Sequence, residues 1–184
     1  MALADDLDAA AAAAAAHVRD GETVGAILVA EPRQDERTYV CAFTRDEVTT
    51  WLAFDADFQP LTSLERVRAA VSIAALCELA EENAGGGELE ELRQRLVSLR
   101  LTESPPGIEE AEEAALALEA TIGSAPRVAT PAYLDDVGNA ARRLEVALGG
   151  ADAGSPFAVA MQQSLGSVDE LTREVESNYK LPLV

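Results

Sequence analysis

Two short joints, P-R-Q-D-E-R at 32–37 and T-R-D-E at 44–47, leave the residues around them few ways to pair. They separate three runs of strand character: T-V-G-A-I-L-V-A-E (23–31), T-Y-V-C-A-F (38–43) and V-T-T-W-L-A-F-D (48–55). These runs are rich in Val, Thr and aromatic residues, which suit a pleated surface. A parallel crossover takes about a dozen residues or more, and neither joint is that long. An antiparallel three-stranded meander is therefore expected over 23–55. Such a sheet is weak alone and needs something on its faces.

Helices on either side can supply that cover. Residues 3–20 carry Asp5, Asp6 and Asp8 in the opening turns, His17 and Arg19 near the end, and Gly21 just beyond. This order matches the helix dipole and a left-handed C-terminal cap. T-S-L-E at 62–65 reads as a capping box opening a helix to about residue 83. That helix is apolar nearly all round and is expected to lie centrally. Residues 88–101 carry Leu89, Leu92, Leu96 and Leu99 at 3-4-3 spacing, a narrow seam. Further helices are expected over 108–122, from Pro131 to about Leu148, over 156–165, and from the S-V-D-E box at 167–170 onward. The expected fold class is α+β: an N-terminal helix, a three-stranded antiparallel meander, then a mostly helical C-terminal two-thirds packed on it. The expected division is an α-βββ-αα part over 1–103 and a helical part over 104–184, packed as one domain. Leu28, Val40, Trp51, Leu52, Val71, Leu76 and Leu144 are the expected core.

The charge balance narrows the partners. With 14 basic and 33 acidic residues the net charge is −19, a surface that repels nucleic acid and anionic lipid. No apolar run is long enough for a membrane span. The acidic N-terminus lacks the basic start of a secretory signal. Cys41 and Cys77 have no metal or redox spacing and are expected to be buried thiols in a reducing compartment, so a cytoplasmic protein is expected.

Little chemistry survives inspection. A single histidine, His17, leaves no multi-His metal site and works against Ser-His or Cys-His catalysis. Asp55 and Asp57 stand one residue apart at the end of the third strand-like run. Calcium ligation fails there because Pro60 and Arg66 occupy the positions that need Gly and Glu. A strand-ending turn is expected instead. Carboxylate pairs at helical spacing remain: Glu78, Glu81 and Glu82; Glu109 with Glu112 and Glu110 with Glu113; and the adjacent Asp135 and Asp136. On facing helices such E-x-x-E pairs can hold Mg²⁺ against a nucleotide. The spacing resembles that of all-α nucleotide pyrophosphohydrolases, and no other part of the chain shares in the resemblance.

The tail is unusual for so acidic a chain. Tyr179, Leu181, Pro182, Leu183 and Val184 make an apolar end that calls for a cover, in the same chain or in another.

Two functions follow as expectations. The preferred one is a non-enzymatic, acidic binding or adaptor protein with no cofactor. Its contacts would run through Leu89, Leu92, Leu96, Leu99, Leu181, Leu183 and Val184, to a second copy in a homodimer or to another protein. Small acidic α+β proteins with a three-stranded meander include secretion chaperones, a similarity of fold only. The alternative is a Mg²⁺-dependent nucleotide hydrolase using Glu78, Glu81, Glu82, Glu109, Glu112, Asp135 and Asp136.

Overall fold

The computed structural model describes residues 3–85, 87–126, 128–151 and 157–180. The elements run α1 (Leu3–Ala15), β1 (Thr23–Ala30), β2 (Thr38–Arg45), β3 (Val48–Phe54), α2 (Leu64–Gly85), α3 (Gly87–Thr102), α4 (Ile108–Gly123), α5 (Pro131–Ala151) and α6 (Phe157–Ser177). The α+β class, the leading helix, the three-stranded antiparallel sheet and the mostly helical remainder are as the sequence indicates.

By internal contacts the chain divides into two units. One comprises Met1–Ala75, Arg127–Pro131 and Ser167–Val184; the other comprises Leu76–Pro126 and Ala132–Gly166. The units do not follow chain order: the later part of α2 belongs with the helices after it, and two later segments return to the first unit.

In the first unit the strands lie in the order β1-β2-β3. β2 and β3 pair from Tyr39↔Phe54 to Arg45↔Val48, joined by a two-residue turn. Asp46 and Glu47 both take positive φ, 49° and 68°. This is the primed turn geometry that matches the strand twist. β1 pairs with β2 through a bulge between Val24 and Ile27.

Both faces of the sheet are covered. On one, Ala10 and Ala14 of α1 meet Val29, Tyr39, Cys41, Phe43, Leu52 and Phe54. On the other, Val67, Ala70, Val71 and Ala74 of α2 and Val175 of α6 meet Val40, Ala42, Trp51 and Ala53. Alanine lets α1 approach closely, which explains a docking stripe that looks thin in sequence. Of the expected core, Val40, Trp51, Leu52, Val71 and Leu144 are buried, whereas Leu28 and Leu76 are only half-buried.

Later segments also close the sheet edges. On β3, the Trp51 N–H donates to the Asn178 carbonyl (3.0 Å) and the Lys180 N–H to the Trp51 carbonyl (2.8 Å). The Tyr179 hydroxyl accepts from the Ala53 N–H (3.1 Å) and donates to the Leu61 carbonyl (2.7 Å). On β1, Ala129 exchanges hydrogen bonds with Glu31 and Val29. An open strand edge invites pairing with other chains, and these segments remove part of that hazard. The tail thus packs in the same chain as far as Lys180; Leu181, Leu183 and Val184 lie outside the described residues.

Some boundaries differ from expectation. α2 begins at Leu64, and Ser63 caps it by accepting from the Arg66 N–H at 3.4 Å. With Ser63 as cap, Arg66 rather than a Glu stands three residues on, so no capping box forms. α5 continues through Gly149 and Gly150 to Ala151. The expected helices over 156–165 and from 167 are one helix, α6, and S-V-D-E lies inside it. Asp55 organises a turn: its carboxylate accepts from the N–H groups of Asp57 (3.0 Å) and Gln59 (2.9 Å).

Burial pushes the Cys41 thiol up to about 12, and Cys77 is buried as well. Thiolate is the reactive form, so both cysteines should label slowly in the native chain and quickly in denaturant. Rapid native labelling of either one would show that it is reachable from solvent.

Candidate functional site

Helix α4 is rich in alanine, and its faces do different things. Ile108, Ala111, Ala115 and Leu118 are buried, and α4 packs along α3. Leu89, Leu92 and Leu96 of α3 are buried too. The α3 seam therefore lies within the chain's own core, with only Leu99 half-exposed. This overturns its use as the face offered to a partner, because its apolar surface is already out of water. On α5 the buried stripe is Tyr133, Val137, Ala140, Leu144 and Leu148.

A groove of about 880 Å³ lies between the other sides of α4 and α5. Ala114 and Ala117 on α4 and Val146 and Ala147 on α5 give it an apolar lining. None of these four belongs to either buried stripe. Core packing therefore does not account for the trough, which presents the outward sides of two helices to one another. Two glycines, Gly107 and Gly150, also line it. Gly107 precedes α4 with φ 85°, and a Cβ there would stand 3.4 Å from the Gly150 backbone. Only glycine combines that conformation with so close an approach at low cost.

The charges along the groove are segregated. Glu110 and Glu113 stand on the α4 wall, and Arg142 and Arg143 on the α5 wall. Among the described residues, none of the four forms an ion pair.

The carboxylates singled out from sequence are dispersed. Glu112 pairs with Arg100 of α3 at 3.0 Å. Glu81 lies near Tyr133, whose phenol is pushed up to about 12 by burial and then by that carboxylate. Glu78, Glu82, Glu109, Asp135 and Asp136 are exposed. Among the described residues, no group of three or more His, Cys, Asp or Glu side chains is placed to hold a metal ion. No helix among them is long and apolar enough to cross a membrane.

Sequence reasoning passed over Ala114, Ala117, Asn139, Arg142, Arg143 and Ala147. A signal existed: a second small-residue stripe on α4 beside the buried one, and an Arg pair in an acidic chain. No family model, no curated protein and no solved structure matches the chain.

Proposed function

We propose that this chain is a non-enzymatic binding protein that receives an amphipathic helix of another protein in the α4–α5 groove. The observation that carries this reading is the groove itself: an apolar trough on the outward sides of two helices, acidic on one wall and basic on the other. Helix-in-groove recognition uses an apolar stripe laid into such a trough. From Gly107 to Ala117 the α4 wall is about 15 Å long at 1.5 Å per residue, room for roughly three turns. The small side chains leave space for Leu-sized residues of the incoming helix. The walls ask for basic residues on the flank facing Glu110 and Glu113, and acidic residues on the flank facing Arg142 and Arg143.

The test is direct binding with a designed peptide. A labelled amphipathic helix of about twelve residues carries a Leu stripe, Lys on one flank and Glu on the other. Binding to the full chain should saturate. Ala117→Trp, at an exposed position, should fill the trough and weaken binding roughly tenfold or more. Binding that survives Ala117→Trp unchanged would place the site elsewhere. Preference for a small apolar molecule over every peptide would replace the helix by a ligand of another class.

A further inference from the structure

We infer that the α3–α4 hairpin carries a second, self-complementary surface, and that its occupant is a second copy of this chain. The hairpin is an antiparallel coiled coil in miniature. Leu89, Leu92 and Leu96 and the facing Ile108, Ala111, Ala115 and Leu118 hold the a and d positions. Arg93 pairs with Glu119 at 2.9 Å, and Arg100 with Glu112 at 3.0 Å. On each helix the paired residues are one heptad apart, so both bridges lie along the same edge of the hairpin. These bridges also fix the levels: Val97 of α3 stands beside Ala115 and Leu116 of α4.

Between the bridges the edge is apolar and open. Val97 is 43% exposed and Leu116 51%, and Leu101, one turn beyond Val97, is 76% exposed. A shallow depression of about 190 Å³ lies there, lined by Leu96, Val97 and Leu116 and flanked by Arg93, Arg100 and Glu112. Large exposed aliphatic side chains grouped in this way mark interaction surfaces more often than single ones do.

The charges say what covers it. On this edge α3 sets Arg93 and Arg100, with Glu90 held 3.4 Å from Arg93, and α4 sets Glu112 and Glu119. A two-fold axis parallel to the helices lays α3 of each copy over α4 of the other and preserves every level. Val97 then meets Leu116 of the partner subunit. Arg93 faces Glu119 of the partner subunit, and Arg100 faces Glu112 of the partner subunit. The four helices form a bundle in which the Arg93/Arg100 and Glu112/Glu119 edges alternate around the axis. A two-fold axis across the helices would instead stack α3 on α3 and bring arginines together. Isologous two-fold contact is the commonest closed assembly, and this edge satisfies it in one orientation only. The surface is separate from the α4–α5 groove: Glu112, Leu116 and Glu119 line one side of α4, and Glu110, Ala114 and Ala117 another.

Sedimentation equilibrium of the full chain near 0.15 M salt, where long-range repulsion is screened, tests this. Wild-type protein should be dimeric. Leu116→Asp should raise the dissociation constant roughly tenfold or more with circular dichroism unchanged. Arg93→Glu with Arg100→Glu should weaken the dimer. The full exchange R93E/R100E/E112R/E119R should restore self-association yet refuse to mix with wild type, because like charges then face each other. A wild-type monomer at all concentrations, or a dimer indifferent to Leu116→Asp, would overturn the inference.

Discussion

Replacing Lys180 by Met should cost about 3–5 kcal/mol, the range for removing one partner of a buried ion pair. Lys180 is the chain's single lysine, and its side chain is 2% exposed. Its ammonium lies 2.6 Å from the Glu22 carboxylate and 2.8 Å from the His17 carbonyl. It also sits over the Phe43 ring, 3.8 Å from the centroid. One side chain near the end of the described chain therefore ties α6 and the β3 edge to the turn after α1. Lys180→Met keeps much of the apolar stem but strands Glu22, whose side chain is 8% exposed. The double variant Lys180→Met with Glu22→Gln should recover part of the loss, because no buried charge is then unpaired.

The pair also fixes a pH dependence. Burial alone would raise the Glu22 pKa. The Lys180 hydrogen bond and charge, with the Arg19 N–H, outweigh burial and hold it below its ordinary value. A carboxyl depressed in the folded state contributes stability above its unfolded pKa, about 4.3 for Glu. That contribution is lost as pH falls through the folded value. The difference between wild type and Lys180→Met should therefore be full at neutral pH and shrink on acidification below about pH 4. Urea unfolding at several pH values reads both effects. A cost that stays the same at low pH would mean that the ion pair does not carry the stability.

Phe54→Ala should cost about 3–5 kcal/mol, as deletion of a buried aromatic ring does. Phe54 ends β3, opposite Tyr39, and is fully buried. Its cluster includes Ala10 and Ala14 of α1, and its ring lies 5.7 Å from that of His17. Aromatics are scarce in this chain, and alanines cannot move far enough to refill the space. Val48, at the other end of β3, is 58% exposed. Val48→Ala should change stability by no more than about 0.5 kcal/mol. Similar costs at the two positions would show that α1 does not cover that face of the sheet.

The sheet was legible because local chemistry determines it. Short joints forced antiparallel pairing, and β-branched and aromatic residues marked the strands. The D-x-D turn was legible for the same reason, since Asp55 bonds to backbone groups only two and four residues away. The sheet edges were not legible. Ala129, Asn178, Tyr179 and Lys180 reach β1 and β3 across long stretches of chain, and no local pattern encodes such a partner. The pairing of Lys180 with Glu22 is hidden in the same way. The Leu89/Leu92/Leu96 seam was visible, but its partner was not, because a/d spacing does not say whether the facing helix lies in the same chain. Helix continuity through Gly149-Gly150 and through Ser167 was missed because tertiary packing overrides weak local breakers. The groove was hidden for a different reason. Ala114, Ala117 and Ala147 look like ordinary helix formers until two outward faces are seen to oppose each other.

The most direct measurement is residue-resolved: amide shifts of the isotope-labelled full chain during titration with the amphipathic peptide. The account predicts saturable shifts concentrated at Gly107, Ala114, Ala117, Asn139, Ala147 and Gly150, and their loss in Ala117→Trp. Shifts confined to other regions, or none at a large excess of peptide, would contradict it.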